Sequence, residues 1–294
     1  MDFLNMPRTN DKKIDLTKLK FNICLRGNLK DSRYAENFIM FEEDKSIALL
    51  KTPLYLVPSY SGVYPSGKIK IQPDEYNPLL AKQIANIANI PCAEYYLAQF
   101  EKDTYILTPS FLNEGEELIL GTNISDKDEF DINKILKNID LSLTRRRYNQ
   151  NEIKKVKEDF IKQCFVSKFI GNLDEQPRNF GIILNGRQIR LAPLFDLEYS
   201  FEIISESLGY ERNINGDISL KALIESFKDY PGFIQFVRKF NNKLDIKKIF
   251  NSVEEDTGIP VNGFLEKQYT DFLTGKLNES RKVIKDIEKG EYLL

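Results

Sequence analysis

A polar segment that includes Asn172, Asp174 and Asn179 separates two apolar runs of the chain in FIGNLDEQPRNFGIIL (169–184). Asp174 and Asn179 lie five positions apart within it, and Asp196 ends the next apolar run, LAPLFD (191–196). A carboxylate can accept a proton, and carboxylate and carboxamide oxygens together can bind a hard cation such as Mg²⁺. The types and spacing of these residues therefore indicate a site that moves a proton beside a divalent ion.

The flanking patterns predict how these residues meet. NEIKKVKEDFIKQCFVSKFI (151–170) has the spacing of an amphipathic helix, which Gly171 would end. FGIILN and QIRLAPLFD follow as two strand-like runs joined by the turn NGR (185–187), which predicts a β-hairpin. Because a hairpin folds back on itself, Asp196 at its far end is expected to lie beside the loop that precedes the hairpin.

This arrangement is the one that phosphoryl transfer requires. In the catalytic loop of protein kinases an Asp accepts the hydroxyl proton, and an Asn five residues on and a later Asp hold Mg²⁺ against the phosphates. Asp174, Asn179 and Asp196 match this order. Each half of the pattern is common by chance, and the alternative is a helix end, an ordinary loop and a hairpin end. What favours the catalytic interpretation is the order of the elements: a helix, a polar loop, a hairpin and an Asp follow one another within about thirty residues.

Composition excludes several other chemistries. The 294 residues include no histidine, which rules out catalysis by Ser-His-Asp or Cys-His groups and histidine-bound metals. A formal net charge of −2 offers no general electrostatic reason to bind nucleic acid or a membrane. The three cysteines are widely spaced, and no signal-peptide core or run of 18 apolar residues is present. These features predict a cytosolic chain without a disulfide framework or a zinc site.

Strand-like patterns fill the first third of the chain and helical patterns the remainder, which predicts an α+β fold with two lobes. The predicted strands are FNICL (21–25), NFIMFE (37–42), SIALLKT (46–52), EYYLAQFE (94–101) and DTYILTPSF (103–111). NPLLAKQIANIANI (77–90) predicts a helix with Asn77 as N-cap and Pro78 at its first position. NEGEELILGTN (113–123) is interpreted as a polar connection, and 218–292 as several amphipathic helices.

IGNLDEQPRNFGIIL and LAPLFDLEYSF together resemble the catalytic core of the HipA-like serine/threonine kinases, which carry IGN-x-D-x-H-x-x-N and LAPxxD. The match is dense over residues 169–200 and weak elsewhere. The resemblance implies a bilobal protein-kinase-like fold that uses ATP and Mg²⁺, with Asp174 as catalytic base. It implies Asn179 and Asp196 as the Mg²⁺ ligands. Gln176 stands where the family commonly has His, so we expect altered support of the loop rather than loss of chemistry.

The same resemblance implies a β-rich nucleotide-binding lobe over residues 1–110 and a helical lobe with the catalytic loop over 111–294. Lys51, at the end of SIALLKT, is expected to bind the ATP phosphates, and a strand-end lysine facing solvent is the alternative. RGNLKDSRYAENF (26–38) is expected to cover the phosphates. Within it Ser32 is the candidate for an autophosphorylation that expels the loop and silences the enzyme.

Two further residues complete the predicted nucleotide site. Glu75 is the nearest candidate for an acidic partner of Lys51, although it precedes Pro78 and so would lie before the helix; a solvated residue is the alternative. Phe111, near the expected hinge LTPSFLN (107–113), is interpreted either as an adenine contact or as a core residue.

The sequence therefore predicts an ATP- and Mg²⁺-dependent kinase of protein Ser or Thr residues, in the cytoplasm or as a secreted effector. In HipA-like systems such a kinase often acts as a toxin restrained by an antitoxin protein, so an antitoxin-type partner is expected, without direct binding to nucleic acid or membrane. The chain is shorter than full-length HipA and is expected to lack its extra N-terminal subdomain, which puts antitoxin binding in question more than catalysis. A nucleotide-binding pseudokinase or interaction module and a small-molecule kinase are the alternatives.

Overall fold

A computed structural model describes residues 2–26, 36–51, 73–125, 130–172, 175–198, 200–201, 218–258, 260–261 and 263–290. Its N-terminal part is built on a β-sheet and its C-terminal part is mainly helical, which confirms the predicted α+β class. The division of the chain at residue 110 stays a prediction. Within the described residues, no helix has both the length and the apolar character needed to cross a membrane.

Within the residues that the structure describes, the N-terminal sheet has six strands. They are β1 (Ile14–Asp15), β2 (Phe21–Arg26), β3 (Glu36–Phe41), β4 (Ile47–Lys51), β5 (Tyr96–Phe100) and β6 (Asp103–Pro109). Their order is β1-β5-β6-β4-β3-β2, and all neighbours are antiparallel except β1 and β5. The five strands that alternation predicts are confirmed. The sequence did not predict β1, because two residues are too few to show a period.

Alternation along β4 sends its side chains to two faces of the sheet. Ala48 and Leu50 face a core that the N-terminal segment covers, whereas Lys51 lies on the opposite face with Ile47 and Leu49. The covered face holds Met6, Ile14, Leu16, Ile39, Phe41, Ala48, Leu50, Ala98 and Leu107. The face that carries Lys51 is left to contact the rest of the molecule.

Helix α1 (Pro73–Ala88) begins earlier than its sequence pattern predicts. Pro73 opens the helix and Pro78 lies inside it, so the prediction of Asn77 as N-cap is wrong. The placement of Glu75 before the helix is wrong for the same reason. Pro78 removes the hydrogen bond to the carbonyl four residues earlier and its ring crowds that carbonyl, a cost that longer-range contacts of the helix can offset. Asn77 is fully buried instead of capping the helix.

The C-terminal part combines helices with a small sheet. The helices are α2 (Ile132–Arg145), α3 (Gln150–Phe169), α4 (Leu220–Ser226), α5 (Phe233–Lys243), α6 (Ile246–Thr257) and α7 (Gly263–Lys289). The strands β7 (Glu117–Leu120), β8 (Gly181–Asn185) and β9 (Gln188–Leu191) are antiparallel in that order. The predicted long helix, hairpin and tail helices are confirmed. The interpretation of 113–123 as a plain connection is wrong, since β7 pairs with β8 along its whole length.

Aromatic packing fixes α3 within the main core. Phe165 and Phe169 meet the ring of Phe240 edge to face, with centroids 5.3 and 4.8 Å apart. Phe160 contacts Phe180, directly before β8, with centroids 4.9 Å apart. Burial of each such side chain contributes on the order of 1.5–3 kcal/mol. The loop between α3 and β8 is therefore anchored at both ends by buried rings.

Candidate active site

The end of α3 sets the start of the loop that the sequence singles out. Gly171 adopts a left-handed conformation with φ of +59°, which glycine adopts without a steric cost. Its N–H donates to the carbonyl of Lys168 at 3.2 Å, and the N–H of Asn172 donates to that of Ser167 at 3.0 Å. These bonds satisfy helix-end carbonyls in the usual way. The helix stop predicted at Gly171 is confirmed.

A buried ion pair ties this loop to α3. The Nζ of Lys168 contacts the carboxylate of Glu175, and the two side chains are only 3% and 4% exposed. Two charges without hydration are stable only together, so separating them is costly. Glu175 follows Asp174 directly, and Asp174 itself lies outside the described residues.

The second half of the loop is a 3₁₀ turn, Pro177–Asn179, that leads into β8. The N–H of Asn179 donates to the carbonyl of Gln176 at 2.9 Å, and the residue is half-buried. Asn179 also lines a cavity of about 30 Å³ together with Phe195. The loop carboxamide therefore lies near the segment that ends in Asp196.

The hairpin returns the chain to the N-terminal part of the fold. After β9, the N–H of Leu194 donates to the carbonyl of Pro91 at 2.8 Å, and its carbonyl accepts from the N–H of Ala93 at 2.7 Å. Two residues later Asp196 adopts a φ of +62°. This region costs a non-glycine residue on the order of 1 kcal/mol, although Asp and Asn tolerate it better than most. Residues in strained conformations persist only where neighbouring contacts hold them in place, and they cluster at functional sites.

Lys51 of β4 is the centre of a buried charge cluster. Its Nζ contacts the Asp196 carboxylate and lies 3.2 Å from Oε1 of Glu198. The Lys51 side chain is 7% exposed and that of Glu198 is 2% exposed, whereas Asp196 retains 27%. Among the described residues, this ammonium group therefore has two carboxylate partners, and of these two Asp196 has the greater access to solvent.

The pKa values of the two acids move in opposite directions. Burial would raise the pKa of Asp196, but the charge and hydrogen bond of Lys51 outweigh it, with help from Glu198 and Arg178, and the pKa is lowered. Burial raises the pKa of Glu198 to about 7; Lys51 opposes this shift and the negative charge of Asp196 adds to it. Of the two acids, Asp196 is therefore the more readily ionised.

Glu198 is also fixed through its main chain. The Nδ2 of Asn77 donates to the Glu198 carbonyl at 2.7 Å, and the hydroxyl of Tyr269 donates to Oδ1 of Asn77 at 2.9 Å. Asn77 and Tyr269 are both fully buried. This chain of bonds connects α7 through α1 to the segment after Asp196.

Phe111 lies where the two parts of the chain join. Its ring stacks on that of Phe195 with centroids 5.6 Å apart and planes at 29°. It also packs against the main core. The Phe111 carbonyl accepts a hydrogen bond from Arg190 at 3.4 Å. The structure thus puts Phe111 beside the residue before Asp196, while contact with adenine stays a prediction.

Only part of the predicted site falls within the described residues. Those described in full are Lys51, Phe111, Asn179 and Asp196. Asp174 and Ser32 lie outside, and for Glu75 the structure describes only the backbone within α1. The sequence missed Glu198, although an acid two residues after Asp196 in an apolar run was a signal. It gave no indication that Asn77 would support this segment.

The described residues contain no cluster of three or more Asp, Glu, Cys or His side chains suited to holding a metal ion. Asn179 and Asp196 together offer one carboxamide and one carboxylate, both of which are oxygen donors. Such donors suit Mg²⁺, which commonly takes one or two protein carboxylates and completes its shell with water and phosphate oxygens. The donor chemistry fits the predicted ion.

A strand-rich part, a helical part and an ion pair that joins Lys51 of β4 to Asp196, after the β8–β9 hairpin, define a bilobal kinase-like fold. Neither a protein-family model nor a curated protein matches the sequence. Similar solved structures include the Helicobacter pylori proinflammatory kinase CtkA, with a TM-score of 0.62 and 13% identity. That alignment covers 94% of this chain and 99% of the CtkA chain.

A second similar structure is the HipA chain of the Shewanella oneidensis toxin–antitoxin complex with HipB and operator DNA. Its TM-score is 0.53 at 11% identity, over 89% of this chain and 66% of the HipA chain. At such low identity the likeness concerns the fold alone. At the level of the fold, these structures confirm the resemblance to HipA-like kinases that the sequence of residues 169–200 indicates.

Proposed function

We propose that the chain is an ATP- and Mg²⁺-dependent kinase of HipA-like type that phosphorylates Ser or Thr residues of proteins. The observation that carries this proposal is the contact between Lys51 and Asp196, which are 145 residues apart in sequence. A kinase needs a lysine from its sheet and an acid from its hairpin at one point, because both must reach the same phosphates. The fold shared with CtkA and HipA supports the same assignment.

An apolar surface beside Lys51 is suited to a nucleotide base. Ile47 and Leu49 lie on the same face of β4 as Lys51, and Phe38 pairs with Leu49 across the strands. Ile47 and Phe38 are 45% and 41% exposed, which is high for large apolar side chains in a sheet. A flat apolar surface next to one fixed cation matches adenine joined to phosphates. Phe111, stacked on Phe195, would close this site at the hinge.

In the proposed reaction the hydroxyl oxygen of a Ser or Thr attacks the γ-phosphorus and the bond from that phosphorus to the β-phosphate oxygen breaks, so that ADP leaves. Asp174 accepts the hydroxyl proton. Asn179 and Asp196 would hold Mg²⁺, which neutralises phosphate charge when bound. Lys51 binds phosphate oxygens through its ammonium group, and the buried Lys168–Glu175 pair keeps the loop of Asp174 in position.

Two finer proposals concern regulation. The HipA structure similar to this chain is a complex with HipB and DNA, and on that basis we include an antitoxin-type protein among the partners. The second proposal is that Ser32 becomes phosphorylated and inactivates the enzyme. An unchanged intact mass and unchanged activity after long incubation with Mg-ATP would contradict it.

The alternative, a pseudokinase without turnover, has one specific observation in its favour. Lys51 contacts two carboxylates, and both compete with phosphates for its ammonium group. If Mg²⁺ does not draw Asp196 away, nucleotide would bind weakly or not at all. Measured phosphate transfer therefore separates the two functions.

The decisive experiment is transfer of radiolabelled γ-phosphate from ATP with Mg²⁺, to the chain itself and to proteins of a bacterial lysate. Asp174→Ala should lower the rate by roughly a hundredfold or more and leave nucleotide affinity nearly unchanged, because a base acts mainly in the transition state. Absence of transfer by a wild-type chain that binds Mg-ATP would support the pseudokinase. Transfer to a metabolite and not to protein would instead support a small-molecule kinase.

A further inference from the structure

Lys51 requires an acidic partner that stays with it while nucleotide is bound. Asp196 contacts Lys51, but in the proposed function its carboxylate holds Mg²⁺. A lysine has a flexible four-carbon stem, and an ammonium group without a fixed partner samples many positions. The residue that orients Lys51 during catalysis is therefore another acid close to its Nζ.

We propose that Glu198 is a positioning residue for Lys51. This inference rests on the proposed function, since it concerns how the phosphate-binding lysine is held. The Glu198 Oε1 lies 3.2 Å from the Lys51 Nζ, and its side chain is 2% exposed. Glu198 comes from the loop after Asp196, so one short segment supplies both the proposed metal ligand and the partner of the lysine.

Differences in burial separate the roles of the two acids. Asp196 retains 27% exposure, so part of its carboxylate is open to an ion that approaches from solvent. Glu198 has almost no such access. A bound cation would therefore reach Asp196 first, and Lys51 would keep Glu198 as its counter-charge.

A chain of buried hydrogen bonds fixes the main chain of Glu198. Its carbonyl accepts the 2.7 Å hydrogen bond from Asn77, whose own Oδ1 accepts the bond from Tyr269. Because these bonds act on the main chain of residue 198, they persist when the Glu198 side chain is changed. Glu198→Gln therefore removes the charge at nearly constant shape and leaves the backbone support in place.

The test is a double-mutant cycle on the affinity for a non-hydrolysable ATP analogue with Mg²⁺, measured by isothermal titration calorimetry. The variants are Glu198→Gln, Lys51→Met and the two combined. Loss of one charge-assisted contact should weaken binding by about tenfold in Glu198→Gln. Since Glu198 acts through Lys51, the same change in the Lys51→Met background should weaken binding by less than about twofold.

Two further variants complete the experiment. Glu198→Asp keeps the charge on a shorter side chain and should bind better than Glu198→Gln. Glu94→Gln is the matched control, because Glu94 pairs with Lys82 and its side chain is 52% exposed. It should bind as the wild type does.

Three results would overturn the inference. Glu198→Gln could bind as well as or better than wild type, which would make Glu198 a bystander or a competitor of the phosphates. An equal loss with and without Lys51 would indicate a merely structural role. A wild-type chain that does not bind the Mg²⁺–nucleotide would overturn the proposed function itself, and this inference with it.

Discussion

At the scale of single residues, the candidate site is centred on one cation, Lys51, which contacts two acids of unequal burial, Asp196 and Glu198. Asp196 holds an unfavourable backbone conformation, φ +62°, at the place where its carboxylate meets Lys51. The Lys51 contact keeps the pKa of Asp196 low against the effect of burial. An ionised, partly exposed carboxylate is the form that a divalent cation needs. The strain and the electrostatics at Asp196 thus favour the same role.

Replacement of Asp196 by Asn tests this role without changing the backbone preference, because Asn also tolerates positive φ. With Mg²⁺ present, ATP affinity should fall by roughly tenfold or more, since the ion loses its charged ligand. Without Mg²⁺, affinity should hold or rise, because Lys51 loses a competitor of the phosphates. Calorimetric titrations with and without Mg²⁺ measure both effects.

A suitable comparison for Asp196→Asn is Asp159→Asn on α3, whose side chain is 36% exposed and pairs with Lys162. It should leave nucleotide affinity unchanged under both conditions. Equal ATP affinity of wild type and Asp196→Asn in the presence of Mg²⁺ would remove Asp196 from the metal site.

At the scale of elements, the loop that carries Asn179 depends on a close approach between the residue after β7 and the residues before β8. Gly121 follows β7, and its N–H donates to the carbonyl of Phe180 at 2.8 Å. A Cβ on Gly121 would lie 2.2 Å from both the Phe180 ring and the Pro177 carbonyl. The loop that carries Asn179 therefore needs a residue without a side chain directly after β7.

Gly121→Ala should destabilise the protein by about 1–3 kcal/mol, because the added methyl group overpacks a site where backbone must move. Gly275→Ala is the control: it lies inside α7 with open space around the new Cβ, and it should stabilise by about 0.5–1 kcal/mol through helix propensity. Urea unfolding followed by circular dichroism gives both values. Equal stability of the two variants would mean that the approach at Gly121 is relaxed in solution.

The sequence predicted those elements whose signal is local. β8 and β9 have a hydrophobic period and a turn with Gly186, and both were located correctly. The proline signal for α1 was present at Pro73 and at Pro78, and a local pattern cannot tell which of them opens the helix. Glu198 was missed since its meaning depends on Lys51, a partner 147 positions away in sequence.

The residues of the candidate site also differ in this respect: some have a local signal in the sequence, and others are recognised only by contacts with distant residues. Asp196 and Asn179 were predicted as site residues because they have a fixed spacing around a hairpin. Lys51 was predicted as a site residue from its place at the end of a strand, and the structure puts it in contact with Asp196. The hydrogen bonds of Asn77 left no trace in the sequence, because a buried Asn in a helix looks like a cap until its distant partners are known.

At the scale of the whole molecule, the N-terminal segment joins both parts of the fold. Leu16 is fully buried against the outer face of the sheet, in the cluster that includes Leu50. Lys12 of the same segment donates through Nζ to the carbonyl of Glu255 in α6 at 3.2 Å. Because Leu50 and Lys51 are adjacent on β4, the packing of this segment supports the strand that presents Lys51 to the cleft.

Leu16→Ala should therefore lower the free energy of unfolding by about 2–5 kcal/mol, the cost of a cavity in a closed core. Leu4→Ala is the control within the same segment; Leu4 is 74% exposed, and the change should stay within about 0.5 kcal/mol. Urea denaturation measures both.

Saturating Mg-ATP analogue at a hundred times its Kd should restore about 2.7 kcal/mol to Leu16→Ala, because ligand that binds only the folded chain stabilises it by mass action. If Leu16→Ala unfolds at the same urea concentration as Leu4→Ala, the segment is not part of the cooperative core, and the position of Lys51 must depend on the cleft side of the sheet alone.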